Sequence, residues 1–165
     1  MQQHTAENQM NMKPTKILFV CLGNICRSPS AEGVMKKLAA GLPIEIQSAG
    51  TAGYHVGEFP DPRTRSHARK RGYELTSRAQ QFDPARHFEA FDRIIAMDEN
   101  NLSDLKAMDR AKKYHHKLSL MTDYCRSLEV NGVPDPYYSG PEGFEHVLDI
   151  LEDACAGLLK DLENN

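Results

Sequence analysis

The chain has 165 residues, 40% of them hydrophobic and 26% charged, with a formal net charge of -3. That length suits one domain with its own core, and the balance is that of a globular protein rather than a disordered one. It argues against a general nucleic-acid binder, no apolar run is long enough to cross a membrane, and four scattered cysteines exclude a disulfide framework and fit a reducing cytoplasm.

Met1 to Pro14 is polar and lacks the charged-then-apolar pattern of a signal peptide, so residues 1–14 are expected to be a disordered extension of a single domain over 15–163. Ile17 to Val20 is a continuous apolar run, which predicts a buried parallel strand ending at Cys21. Pro29 suits a first helical position, and Ala31, Val34, Met35 and Leu38 continue a helix to Ala40, where Gly41 stops it. Pro43 to Gln47 reads as a second strand, with Ser48-Ala-Gly-Thr after it and a loop rich in Gly and aromatics over 52–61. A helix from Pro62 to Arg71 carries Arg63, Arg65, Arg69, Lys70 and Arg71, read as a solvated basic face in preference to a rim attracting acidic phosphoproteins.

Asp83-Pro84 opens a short helical turn before Phe91, and Arg93 to Met97 is a third strand. Asp98 then caps a helix over 99–109, with Leu102, Leu105 and Met108 inward. His115 and His116 precede a fourth strand, Lys117 to Met121; no ligand spacing such as H-x3-H accompanies them, so no metal is expected. The last helix, Gly143 to Leu162, buries an apolar stripe that includes Cys155, and Cys125 is likewise read as structural. Strand and helix alternate four times. The fold class is therefore α/β: a three-layer α/β/α arrangement, with a four-stranded parallel sheet and helices on both faces. Cys21, Ser48 and Asp98 all fall at strand C-termini, where such sheets bind ligands.

Two stretches carry chemistry. Cys21 to Ser28 is a strand-to-helix turn whose backbone N–H groups and positive helix end favour an anion. Cys21 and Arg27 are spaced as C-x5-R: a cysteine at the base of an anion cradle has its thiolate favoured, and Arg27 offers a planar fork to two oxygens. Ser28 can donate to the thiolate, while Gly23 and Asn24 tolerate left-handed backbone. A nucleophilic sulfur beneath an oxyanion implies displacement at phosphorus. Val133-Pro-Asp-Pro-Tyr-Tyr138 is the second stretch. Its prolines hold an exposed turn, Asp135 there can act as a general acid for a departing oxygen, and Tyr137 and Tyr138 can wall a slot for an aromatic ring.

The run Val20-Cys-Leu-Gly-Asn-Ile-Cys-Arg-Ser-Pro resembles the phosphate-binding loop of the low-molecular-weight protein tyrosine phosphatases, and Asp135-Pro-Tyr-Tyr is their second hallmark. Ser48-Ala-Gly-Thr, Asp61-Pro-Arg, Met97-Asp-Glu-Asn and Gly143-Phe-Glu also match, so the resemblance covers about residues 15–162; His115-His-Lys and Gly143-Phe-Glu-His-Val look most like the bacterial branch.

The resemblance implies that Cys21 forms a phosphocysteine, with Leu22, Gly23, Asn24, Ile25, Cys26 and Arg27 supplying the phosphate cradle. Asp135 then protonates the leaving tyrosine and activates water. Ser28 supports the thiolate, Asn24 orients the loop with Ser48 in its network, and Tyr54, Tyr137 and Tyr138 form the substrate pocket. It implies no cofactor and no metal, tyrosine-phosphorylated proteins as substrates, bacterial tyrosine kinases among them, inorganic phosphate as product, and a monomer in the cytoplasm. It also implies redox control through a Cys21–Cys26 disulfide.

Two positions depart from the family pattern: Ser77 stands where a histidine is frequent and Gln80 where an arginine is, which puts the usual loop-tethering network in question. Three other functions fit these residues less well. Arsenate reductases of this fold need resolving cysteines where Ala79 to Leu105 has none. Protein-arginine phosphatases typically carry Thr where this chain has Ile25. A non-catalytic phosphotyrosine-binding module could dispense with Cys21 or Asp135, and both are present.

Overall fold

The branched and aromatic side chains of the first strand leave neither of its faces free for water, and the structure puts that strand in the middle of a sheet. In the computed structural model, which describes residues 13–164, β1 (Thr15–Cys21), β2 (Ile44–Gly50), β3 (Arg93–Ala96) and β4 (Leu118–Leu120) form one parallel sheet in the order β2-β1-β3-β4. Five α-helices surround it: α1 (Arg27–Leu38), α2 (Pro62–Lys70), α3 (Pro84–Ala90), α4 (Glu99–Met108) and α5 (Pro141–Glu163). The residues expected to form a disordered extension lie, for 1–12, outside the described residues.

Strand alternation divides the core in two. Ile17 and Phe19 face one side and pack with Val34 and Met35 of α1, Ala68 of α2, and Leu148 and Leu151 of α5. Leu18 and Val20 face the other, with Phe88 of α3, Leu105 of α4 and Ile94 of β3. Helices therefore cover both faces, the three-layer arrangement the alternating pattern predicts. Phe19 is fully buried, and truncating such a residue to Ala costs about 3–5 kcal/mol.

The strand order reverses between β1 and β3, because the chain leaves β1 for β2 on one side and returns to β3 on the other. A crevice opens beyond the C-termini of two strands that diverge in this way. Cys21 ends β1, and Asp98 follows β3 by two residues, so both stand at that crevice.

Two local expectations are corrected. Pro29 is the third residue of α1, not the first, since the helix begins at Arg27; the first-turn N–H groups lack intrahelical partners, so proline is tolerated there. Ser48 lies inside β2 rather than after it, because pairing with β1 continues through Cys21 opposite Gly50. Asp98 caps α4 as expected, accepting from the Asn101 N–H at 2.8 Å. His115 is occupied by Asp109, with its Nδ1 2.6 Å from the carboxylate.

Candidate active site

The turn from β1 into α1 is held by one asparagine. Asn24 adopts left-handed backbone, φ 58°, which asparagine tolerates better than most residues. Its amide nitrogen donates to Ser28 Oγ at 2.7 Å and to Ser48 Oγ at 3.0 Å, and its amide oxygen accepts from the Gln80 N–H at 2.9 Å. Its own N–H points at Cys21 Sγ, 3.3 Å away.

Ser28 Oγ lies 3.0 Å from the same sulfur. That oxygen accepts from Asn24, and its proton has two acceptors in reach, the sulfur and the Ala49 carbonyl at 3.5 Å. Among the described residues the N–H groups of Gly23, Ile25 and Cys26 meet no acceptor, as expected of an anion cradle. Gly50 lets β2 approach this turn: a Cβ there would sit 2.6 Å from the Leu22 carbonyl oxygen.

The network extends beyond the residues singled out in the sequence. Asn24 fills the Ser48 oxygen, so Ser48 donates onward to Glu32 Oε1 at 2.5 Å. Ser77 donates to the other oxygen of Glu32 at 2.5 Å, and Lys36 reaches it at 2.6 Å. Gln80 holds the Ser48 carbonyl through its side chain at 2.9 Å. Ser77 and Gln80, the two departures from the family pattern, therefore sit inside a tethering network centred on a buried glutamate. The available signal was spacing, since Glu32 is four residues from Ser28 on one face of α1.

Arg27 is 4% exposed and is fixed from two sides: its Nη1 donates to Asp98 Oδ2 at 2.6 Å and to the Val133 carbonyl at 3.2 Å. Burial opposes its charge, but Cys21, Asp98 and Asp135 outweigh that and hold its pKa above the ordinary arginine value. Asp98 thus does two jobs, capping α4 with one oxygen and holding Arg27 with the other. The sequence reading found the first and missed the second.

Asp135 stands across the cleft with a half-exposed side chain, its Oδ2 3.8 Å from Arg27 Nη2, and its Oδ1 accepts from the Tyr137 N–H at 3.0 Å. Leu22, Gly23, Ile25, Cys26 and Arg27 of the loop line a cleft of about 250 Å³ together with Tyr54, His55, Asp135, Tyr137 and Tyr138. All three tyrosines named from the sequence reach this cleft; His55 was not singled out. The wall is braced by Arg63, whose guanidinium lies 5.3 Å from the Tyr137 ring centre and 4.9 Å from that of Phe144. Asp61 grips Arg63 with both oxygens, at 3.1 and 2.9 Å. That contact holds the Asp61 carboxyl below the usual range.

Cys26 differs from Cys21. Burial pushes its thiol up to about 12, so it remains protonated at neutral pH. All four cysteines are free thiols. Among the described residues, no group of three or more potential metal ligands occurs and no helix is long and apolar enough to cross a membrane.

The family model described as low molecular weight phosphotyrosine protein phosphatase matches residues 16–165. A relative from Synechocystis named for a low molecular weight protein-tyrosine-phosphatase is 50% identical over 151 residues, covering 89% of this chain and 96% of its own. The crystal structure of a protein tyrosine phosphatase from Entamoeba histolytica, with Hepes in its active site, superposes with a TM-score of 0.86 at 44% identity, covering 91% of this chain and 97% of that one. A Drosophila arginine phosphatase superposes with a TM-score of 0.84 at 30% identity, covering 90% of this chain and 98% of that one. The fold, the cradle between β1 and α1, and a match over almost the whole described chain agree: the protein belongs to the low molecular weight phosphotyrosine protein phosphatase family.

Proposed function

We propose that this protein hydrolyses phosphotyrosine in proteins, and small aryl phosphates at the same site, through a phosphocysteine on Cys21. The observation that carries the reading is the convergence of three groups on one cleft. These are a sulfur that accepts from the Asn24 N–H and lies 3.0 Å from Ser28 Oγ, a buried arginine beside it, and a half-exposed carboxyl 3.8 Å from that arginine.

In the first step Cys21 Sγ attacks phosphorus, the phosphorus–phenolic oxygen bond breaks, and Asp135 gives its proton to the departing oxygen. Bound phosphate places negative charge beside Asp135, which favours the protonated form that step requires. The cradle N–H groups and Arg27 stabilise charge on the remaining phosphate oxygens. In the second step the Asp135 carboxylate takes a proton from water, the water oxygen attacks phosphorus, and the sulfur–phosphorus bond breaks. Thiolate and inorganic phosphate result. Neither step requires a metal or a cofactor. Tyr54, Tyr137 and Tyr138 flank the phenyl ring, and Ile25 supplies apolar bulk at the mouth, which favours an aromatic ester over phosphoarginine.

Tyrosine-phosphorylated proteins are the substrates, bacterial tyrosine kinases among them, and the enzyme works as a cytoplasmic monomer. Oxidation of Cys21 by peroxide to the sulfenic acid, followed by attack of the Cys26 sulfur with loss of water, gives a disulfide that shields Cys21 from irreversible oxidation. The test is turnover of p-nitrophenyl phosphate, a phosphotyrosine peptide and a phosphoarginine peptide, with acid quench to trap the phosphoenzyme. Hydrolysis of the first two with the phosphoryl group recovered on Cys21 supports the reading. Binding of phosphotyrosine without turnover assigns a binding module instead, and preference for phosphoarginine assigns the other specificity.

A further inference from the structure

We propose that Phe59, Arg65 and Arg78 form a secondary subsite beside the cleft that takes an acidic segment of the phosphoprotein substrate; this rests on the phosphotyrosine reading above.

The arginines around α2 fall into two groups. Arg71 is consumed internally, reaching Glu145, Asp149 and Glu152 of α5 at 2.8, 2.9 and 2.6 Å. Arg63 is gripped by Asp61, and Arg69 faces Glu74 at 3.8 Å. Arg65 and Arg78 are different: among the described residues neither has a carboxylate within ion-pair distance. Both turn to one aromatic ring. The Arg78 guanidinium lies 4.5 Å and that of Arg65 5.4 Å from the centre of Phe59.

Phe59 is 50% exposed, so the arrangement is not a buried packing feature. A guanidinium that meets a ring with its face keeps the N–H donors around its edge, and those donors match a carboxylate. A chain of net charge -3 that leaves two adjacent arginines without acids presents a local field opposite to its overall one.

The place of the patch fits a substrate rather than an unrelated partner. Asp61 N–H donates to the carbonyl of Ile25, and Glu58 N–H to that of His55, and both acceptors belong to cleft-lining residues. Phe59 lies between these two anchors, within about 7 Å of chain from Asp61. Arg78 is brought alongside because Gly57 N–H donates to Ala79 O and Ala79 N–H to Glu58 O, at 2.9 and 2.8 Å. The adjacent Glu58 carboxylate turns to His55 and lies outside ion-pair distance of Arg65 and Arg78. In extended form a substrate chain rises about 3.3 Å per residue, so residues three to five positions from the phosphotyrosine lie roughly 10–16 Å from it, a reach that takes them out of the cleft to its rim.

The experiment compares phosphotyrosine peptides identical except for a Glu or a Gln triplet placed three to five residues before or after the phosphotyrosine. The enzymes are the parent and the Arg65→Gln/Arg78→Gln double variant. p-Nitrophenyl phosphate, too small to reach Phe59, reports the catalytic centre alone. In the parent one acidic peptide should have a KM about three- to tenfold below its Gln counterpart, the range of two exposed ion pairs. That preference should vanish in the double variant and shrink at about 0.5 M salt. Equal KM values for Glu and Gln peptides, with normal turnover of all substrates, overturn the subsite and leave the phosphatase reading intact. No turnover of any phosphate ester overturns that reading, and the subsite falls with it. A parent dimer that the double variant dissolves in sedimentation would assign the patch to a second copy of the chain and also overturn the subsite.

Discussion

The loop from Cys21 to Ser28 and the segment from Val133 to Ser139 face each other across one cleft, yet they are held in opposite ways. In the loop, Asn24 and Arg27 are buried and each makes several hydrogen bonds, and Ser48 and Glu32 lie buried behind them. In the segment, Val133 is anchored by its N–H to the Met97 carbonyl, and Tyr138 is 97% exposed. Under the proposed mechanism the contrast follows from the chemistry each side performs. Stabilising charge on a phosphoryl group requires dipoles that are already in place, because reorienting them during reaction would raise the barrier. A proton donor that must follow leaving groups of different shape, then serve an incoming water, gains from access to solvent. Preorganisation is therefore concentrated on the anion side.

Removing Cys21, the proposed nucleophile, tests the rigid side most severely. Cys21→Ser should lower turnover by about 10^4-fold or more, since the remaining cradle positions phosphate but has nothing to accept it. Equilibrium binding of a phosphotyrosine peptide should persist; retained turnover would place the reacting group elsewhere.

Asp135→Asn probes the open side. The loss on phosphotyrosine peptides should be about 10^2-fold. It should be several-fold smaller with p-nitrophenyl phosphate, whose leaving oxygen needs less help. An equal loss with both substrates would mean that the segment serves in binding and not in proton transfer.

Glu32→Ala breaks the support of the rigid side without touching substrate. It leaves Ser48, Ser77 and Lys36 without their shared acceptor, a destabilisation of about 1–3 kcal/mol in urea unfolding. Turnover should fall by about tenfold, less than the hundredfold that a full ångström of misplacement brings. If stability falls and kcat does not, Glu32 supports the fold but not the loop.

The same contrast governs what could be read without coordinates. The cradle is legible because its function forces a contiguous signature: a strand, a cysteine, residues that tolerate left-handed backbone, an arginine, and a helix. The alternating strands and helices likewise fix a three-layer sheet, and the reversal between β1 and β3 then brings Cys21 and Asp98 together. What escaped notice is long-range pairing. Glu32 reaches Ser77 and Arg27 reaches Asp98 across 45 and 71 positions, and nothing local in α1 or α4 reports such a contact. The basic helix escaped for a related reason: composition shows five cations around Pro62–Lys70, while only packing tells that Arg71 is neutralised and Arg65 is not.

The smallest effect concerns the thiol that shares the rigid loop with Cys21. Burial raises the Cys26 thiol from the ordinary 9.0 to about 12. In the unfolded chain this group loses its proton near pH 9, while in the folded protein it keeps it to about pH 12. Between those values the folded state binds more protons, so rising pH favours unfolding: the contribution is complete below pH 9 and is lost as the pH climbs toward 12. The slope for one such group is at most about 1.4 kcal/mol per pH unit. Tyr73, raised to about 12, and Cys125, raised to about 11, act in the same direction. The thermal midpoint should therefore decline between about pH 8.5 and 10.5, and more shallowly in Cys26→Ser, whose hydroxyl does not titrate there. Parallel declines in parent and variant would show that the Cys26 sulfur is solvated, and that the loop is less closed at its fifth position than Asn24 and Arg27 make it elsewhere.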